Sequence, residues 1–368
     1  MSKTMMFVGC YTQTASHSAT AAARGIAGFT FDEASGRLSH VSTVTNTDNP
    51  SFLAASGDGR TLYAVNESPD RNEGTVTAYR ISPSGSLSYI DMQPSRGSLP
   101  AQLSFDRTEK YVLAINYSSG PMTDLPNCSL VVFPRGPNGE LLPPVTEVSH
   151  SGHGPNAARQ ERPHPHSVQT TPDNRFAVVA DLGLDRMIVY RFEDSTGALY
   201  PHSETPLPPG SGPRHFAFHP RLPFAYVANE LTSTVASLAF DAANGTFTVL
   251  SIAPAVEKAA SEITYCSEIK FGPSGRNLYV ANRGADSISC FRIDEASGIA
   301  SLETSTPCGG KWPRHFAFDP SASFLAVANQ NSDGIAVFAF DRVHGKLGQL
   351  LEVTKSGTPT CIVFAKVE

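Results

Sequence analysis

A histidine, two glutamates and three arginines of this chain would carry chemistry if they met: His166, Glu230, Glu268, Arg214, Arg283 and Arg314. An imidazole can move a proton near neutrality and a carboxylate can take one. Guanidiniums can clamp an anion or hold the negative charge that develops on a carbonyl oxygen. Such a set is what an acid/base site for an anionic substrate requires. A single arginine is as often a solvated charge or a surface ion pair. Two of these arginines, however, stand in nearly the same words, PRHFAFHP at 213–220 and PRHFAFDP at 313–320. A repeated word points to repeated placement.

The elements that would place them recur along the chain. From Gly212 the sequence GPRHFAFHPRLPFAYVANELTSTVASLAFDAANGTFTVLSIAP contains RHFAF, FAYVAN, TVASLAF and FTVLSI. Each is rich in β-branched or aromatic residues and bounded by Pro, Gly, Asn or Asp, as strands are. Six such units follow one another. Seven turns between third and fourth strands carry a glycine in the same place, from DEASGRL to DRVHGKL. The seventh unit is divided between the ends: TPTCIVFAK reads as a lone first strand, and the N-terminal segment supplies the other three. The chain is therefore expected to be an all-β, seven-bladed β-propeller of four antiparallel strands per blade. It would form one domain, 1–368, with a split blade (1–48 plus 358–368) and six full blades across 49–357.

In such a blade the start of strand one and the end of strand two lie on one face of the disc. The irregular segments 11–25, 116–128 and 149–166 fall on that face, where binding is expected. Around the ring the first-strand positions read Ser51, Ala101, His166, Arg214, Ser267, Arg314 and Thr360. Those after strand two read Tyr11, Glu67, Tyr117, Leu182, Glu230, Arg283 and Gln330. Most blades spend these positions on small or neutral groups, while adjacent blades offer the acid/base set, with Glu268 one residue further along. The histidines of the HFAF words, His215 and His315, read as packing and turn chemistry. The Asn residues ending the second strands read as turn caps.

Bulk properties exclude several classes. A net charge of −6 over 368 residues argues against a nucleic-acid partner, which needs a basic face. No apolar run approaches the ~20 residues that span a bilayer, so no membrane role is expected. Six scattered cysteines without a CxxC pair read as reduced, buried thiols of a cytoplasmic protein. His150, His153, His164 and His166 invite a zinc reading. They lack a helical i, i+4 pair, HExxH or a carboxylate at ligand spacing, so a loop with one functional histidine is preferred and no metal is expected. GxSxG, GxGxxG and P-loop patterns are absent, leaving a nucleophile elbow and nucleotide binding unsupported.

The words PHPHSVQTTPDNRFAVVADLG, GPRHFAFHP…AYVANEL, SEIKFGPSGRNLYVANRG and WPRHFAFDP…LAVANQN resemble, over essentially the whole chain, the lactonase family of seven-bladed propellers. That family contains bacterial 6-phosphogluconolactonases and fungal 3-carboxy-cis,cis-muconate lactonising enzymes. In the muconate enzymes a histidine, two arginines and a glutamate are catalytic. The resemblance carries these roles to His166, Arg214 and Glu230, and to Arg283 with Arg314 as its rival. Glu67, His164, Glu268, Arg314 and Gln330 are the expected substrate contacts. The resemblance implies a cofactor-free hydrolase of a small anionic sugar lactone, 6-phospho-D-glucono-1,5-lactone first, acting as a monomer or weak homo-oligomer. A carboxymuconate cycloisomerase is the alternative, and a non-catalytic binding propeller the third reading.

Overall fold

The computed structural model describes residues 3–14, 21–68, 73–118, 127–257 and 263–368. Their strands form seven four-stranded antiparallel sheets, with strands in chain order from the axis outward. One blade runs Pro213–Phe218, Phe224–Asn229, Thr234–Asp241 and Thr246–Pro254. The split blade forms as expected. Pro359–Val367 is its innermost strand and pairs with Lys3–Cys10 from Lys3↔Val367 to Cys10↔Pro359. Each innermost strand touches the innermost strand of the next blade, and Pro359–Val367 touches Pro50–Ala55, which closes the ring.

Burial explains the sequence pattern of each strand. Second strands such as Thr61–Asn66, Phe176–Asp181 and Phe324–Asn329 are buried at every residue, because neighbouring blades cover both of their faces. They read as continuous apolar runs for that reason. Outermost strands such as Thr246–Pro254 alternate buried and open residues. The cores lie between blades: Val178 and Val189 of one blade pack with Phe216, Val227 and Leu238 of the next. All seven turn glycines, Gly36, Gly85, Gly139, Gly197, Gly245, Gly298 and Gly345, have positive φ. At Gly85 a Cβ would also stand 2.0 Å from Met5 Cε. Several of these turns receive a tyrosine from the preceding blade, as when Tyr63 Oη donates to the Gly139 carbonyl at 2.7 Å and Tyr226 Oη to that of Gly298 at 2.8 Å. Asparagines at the second-strand ends tie neighbouring loops: Asn116 Nδ2 donates to the carbonyls of Ser95 and Cys128.

One irregularity recurs in every blade and places the chemistry. The innermost strand carries an extra residue near its start, so that Pro165 pairs with Asp181 but Ser167 already pairs with Ala180. The same shift occurs at Pro50/Phe52, Pro100/Gln102, Pro213/His215, Cys266/Ile269 and Pro313/His315, and opposite Gly9/Cys10 in the split blade. The unpaired residues are Ser51, Ala101, His166, Arg214, Ser267 with Glu268, Arg314 and Thr360. A bulge re-aims a side chain and interrupts the strict two-residue alternation. Consecutive residues thereby serve two levels along the axis: Arg214 meets Glu230, whereas His215 meets Glu268 and Phe52. Hydrogen bonds link these bulges around the ring, from Ser167 Oγ to the Arg214 carbonyl (2.7 Å), Arg214 Nη1 to that of Ser267 (2.7 Å) and Ser267 Oγ to that of Pro313 (2.6 Å).

Two stability predictions follow from this packing. Deleting 358–368 strips the inner partner of Lys3–Cys10, so the truncated protein should lose cooperative thermal unfolding. A melt matching the full-length chain would refute closure by this strand. Phe216→Ala, at a fully packed position, should cost about 3–5 kcal/mol in a urea titration through the cavity it leaves.

Candidate active site at the mouth of the central channel

A cavity of about 440 Å³ opens where the bulges of adjacent blades converge, lined by Glu67, Leu99, Ala101, Tyr117, Ala158, Arg159, Glu161, His164, His166, Glu230, Tyr265, Arg283, Trp312 and Arg314. Its heart is Glu230, which is 4% exposed. Three guanidiniums hold this one carboxylate: Arg283 Nη2 at 2.6 Å and Arg214 Nε at 3.0 Å on Oε2, and Arg159 Nη2 at 2.5 Å on Oε1. Burial alone would raise the Glu230 carboxyl. Arg283, Arg214 and Arg159 outweigh it and hold the group well below the usual carboxylate range. Three positive charges around one negative give this cluster a positive excess although the whole chain is acidic.

Arg214 lies beneath the cavity rather than on its wall. Burial, then Arg283 and Arg314, lowers its guanidinium to about 9, which still leaves it charged at neutral pH. On the opposite wall Arg314 Nη2 donates to Tyr11 Oη at 2.8 Å, and Tyr11 Oη donates to Glu67 Oε2 at 3.0 Å. His166 is neutral at pH 7, because burial and then the charge of Arg214 push it well below the ordinary imidazole value. Its Nδ1 is buried without a partner among the described residues. A neutral imidazole with a bare nitrogen can accept a proton, whereas both oxygens of the Glu230 carboxylate are already engaged by guanidiniums. His164 stacks on Tyr117 at 4.4 Å and bonds the Tyr117 carbonyl and Glu161.

The structure therefore brings together His166, Arg214, Glu230, Arg283, Arg314, Glu67 and His164. Two expected substrate contacts lie elsewhere. Glu268 belongs to the lower level: its carboxylate bonds His215 (3.3 Å) and His315 (2.9 Å). The bulge at Ser267–Glu268 turns it down the channel, and a count of residues along the strand does not register that turn. Gln330 is 1% exposed and its backbone N–H is held by the Trp312 carbonyl, but it is not part of the cavity wall. His215 and His315, expected to be packing residues, are buried polar partners of Glu268. The four histidines of 150–166 diverge: His150 is tied to Asp181 (2.6 Å) and Tyr190 (2.8 Å), away from the cavity, and His153 is exposed. Among the described residues no His/Cys/Asp/Glu group has the geometry of a metal site.

Sequence reasoning missed Arg159, Tyr265 and Trp312. Arg159 sits on the irregular segment 149–166, where no repeat assigns a position. Trp312 occupies the place that Gly212 holds one repeat word earlier, and both have positive φ, 63° in each. Asn49, Leu99 and Thr358, which precede the bulge proline of three other blades, also have positive φ, so this conformation belongs to the repeat and the large ring is what sets Trp312 apart. Its ring and that of Tyr265 flank the Arg283 guanidinium, 5.7 Å from each centroid. A replacement of glycine by tryptophan in a repeated word is the signal that could have found it. A larger concavity of about 960 Å³ lies along Arg276, Arg292, Glu295, Glu303 and Lys346. It is an open surface groove of solvated charges, with no buried titratable groups converging on it.

A propeller whose channel mouth pairs a neutral histidine with a guanidinium-bound carboxylate has the build of a lactone-hydrolase scaffold. Residues 5–364 match the family described as Lactonase, 7-bladed beta-propeller, and the chain belongs to that family. A Bacillus subtilis 6-phosphogluconolactonase is 33% identical over 365 residues, 99% of each chain. A Formosa agariphila 6-phosphogluconolactonase is 33% identical over 320 residues, 85% of each. The structure of a periplasmic gluconolactonase from Pseudomonas aeruginosa superposes with a TM-score of 0.88 at 32% identity, covering 100% of both chains. All six cysteines are unpaired and buried, and no helix of the described residues is long and apolar enough to cross a membrane.

The buried titratable groups predict how stability varies with pH. His215 and His315 are lowered by burial to about 4 in the fold from an unfolded value near 6.5, and Glu230 is held well below 4.5. The unfolded chain therefore binds more protons throughout the acid range, and stability falls as pH falls. The histidine contribution is complete above 6.5 and is lost toward 4. That of Glu230 begins to be lost below 4.5. Urea midpoints should decline across this window; a flat profile between pH 6.5 and 4 would show that the histidines are not buried neutral.

Proposed function

We propose that the protein is a cofactor-free lactonase that hydrolyses an anionic sugar lactone, 6-phospho-D-glucono-1,5-lactone in the first place, to the open acid. The observation that carries this reading is the neutral His166 beside Glu230 and its three guanidiniums, in a cavity sized within the roughly 300–1,000 Å³ of small-molecule sites. Hydrolysis requires a base for water, a proton for the departing ring oxygen and cations for the tetrahedral oxyanion. His166 takes the proton from water and returns it to the alkoxide. Arg283, aligned by Glu230, faces the developing negative charge, and Arg214 adds its charge from beneath the cavity floor. Arg159 and Arg314, on the cavity wall, are placed to hold the phosphate or carboxylate of the substrate. Glu230 acts as the anchor that keeps three like charges together, and its own basicity is largely spent in doing so. The unpaired cysteines support action in the cytosol, where this phosphorylated lactone is to be tested first.

The test is a rate comparison of phosphorylated gluconolactone, plain gluconolactone and carboxymuconate with the purified protein. Turnover confined to carboxymuconate would move the protein to the lactonising branch, and turnover of none would refute the reading. On the preferred lactone, Arg214→Ala should lower kcat by about 30- to 1000-fold, the worth of roughly 2–4 kcal/mol of oxyanion stabilisation by the charge beneath the site. Glu230→Gln should fall comparably by releasing the guanidiniums. Activity should survive EDTA dialysis; a loss restored by zinc or calcium would contradict the cofactor-free mechanism.

A further inference from the structure

Beneath the cavity floor lies a second buried polar group that the reaction above leaves unused, built from His215, Glu268, Lys270 and His315. Ile362 N–H donates to His315 Nδ1 at 3.2 Å, and Nε2 of that ring lies 2.9 Å from Glu268 Oε2 and 3.0 Å from Lys270 Nζ. Lys270 Nζ stands beside it and donates to the Phe316 carbonyl at 2.9 Å. Glu268 Oε1 already accepts from Ile269 N–H at 2.9 Å and faces His215 Nδ1 at 3.3 Å. A carboxylate can only accept, so the proton of the neutral His215 ring sits on Nδ1. Nε2 of His215 is thereby left as a bare lone pair.

That lone pair is buried and has no partner among the described residues, and neither has His166 Nδ1. The two rings are in edge contact, with centroids 5.4 Å apart at 67°, and both residues are 6% exposed. Phe52 packs edge-on from below, 5.9 Å from the His215 ring and 5.6 Å from that of His315. Two orphaned nitrogens on touching rings are complementary only if one carries a proton and the other does not. The charged groups around the pair are Arg214, Arg314 and Glu230 on the His166 side, and Glu268, Arg214 and Lys270 on the His215 side. Tyr117 packs edge-on against His166.

We propose that His215, oriented by Glu268, is a positioning residue that selects the His166 tautomer protonated at Nδ1 across one bridging water, and so leaves His166 Nε2 as the basic atom of the active site. Second-layer hydrogen bonds commonly fix an imidazole in this way. The consequence for turnover rests on the lactonase reading; the tautomer does not.

The test reads the tautomer on the unliganded full-length protein with ¹⁵N-labelled histidine, by nitrogen–proton correlation spectra at neutral pH, with His166 assigned through His166→Gln. Expected are protonated Nδ1 and bare Nε2 on His166, and protonated Nδ1 on His215. His166 protonated at Nε2 overturns the proposal whether or not a lactone is the substrate, and needs no destabilised variant. His215→Phe keeps a flat ring but no lone pair. It should shift His166 toward the Nε2–H form and lower kcat on the preferred lactone by roughly 100-fold, with KM within about twofold. His215→Gln, whose amide oxygen can accept, should recover part of the rate. An unchanged tautomer in His215→Phe, or equal kcat in all three proteins, refutes the role.

Discussion

One extra residue in each innermost strand is the constraint on which the site depends. A strand with an unbroken alternation delivers every second side chain to the channel, one chemical level per pair of residues. The bulge after Pro165, Pro213 or Pro313 breaks that alternation and lets two consecutive residues face inward at different depths. Arg214 and Arg314 serve the mouth, while His215 and His315 serve the layer below. The repeated PRH word is thus both scaffold and site: its proline starts the strand, its arginine occupies the bulge, and its histidine begins the regular pairing. Links from one bulge to the next, such as Arg214 Nη1 to the Ser267 carbonyl, make the positions of these side chains a property of the closed ring rather than of any one blade.

Electrostatics at the mouth follow from that geometry. Guanidiniums delivered by adjacent blades would repel one another in a buried space, and Glu230 is the group that makes their proximity tolerable. Arg283 comes from the same level of the next blade and Arg159 from the irregular segment above. The carboxylate therefore ties blade to blade and loop to blade, and keeps an excess of positive charge facing the cavity. Burial, with the charge of Arg214 behind it, keeps His166 neutral beside that cluster.

The family match and the physical reading meet at these residues from different directions. Relatives named for lactone hydrolysis share the whole chain length with this protein, whereas the argument from charge and burial uses only the cavity. Glu230 is where the two refine each other. A glutamate carried over by resemblance invites the role of a base, and the three guanidiniums on it make it an anchor instead.

Much of the architecture was legible in the chain itself. Glycine at seven equivalent turns, continuous apolar second strands and the division of one unit between the two ends follow from backbone sterics and two-sided burial, which act locally and leave a periodic trace. His166, Arg214, Glu230 and Arg283 could be named because they fall at repeat positions where other blades carry small or neutral groups. What only the tertiary structure decided was depth and partnership. A proline precedes the bulge in six blades, but Cys266 stands in its place in the blade of Glu268, so counting along that strand put Glu268 with the substrate contacts when it faces down the channel toward His215 and His315. Arg159 lies in a segment without periodicity, and its ion pair with Glu230 spans 71 positions of chain. Such contacts are set by the closure of the ring, which brings distant segments to one axis, and no local preference in the sequence encodes them.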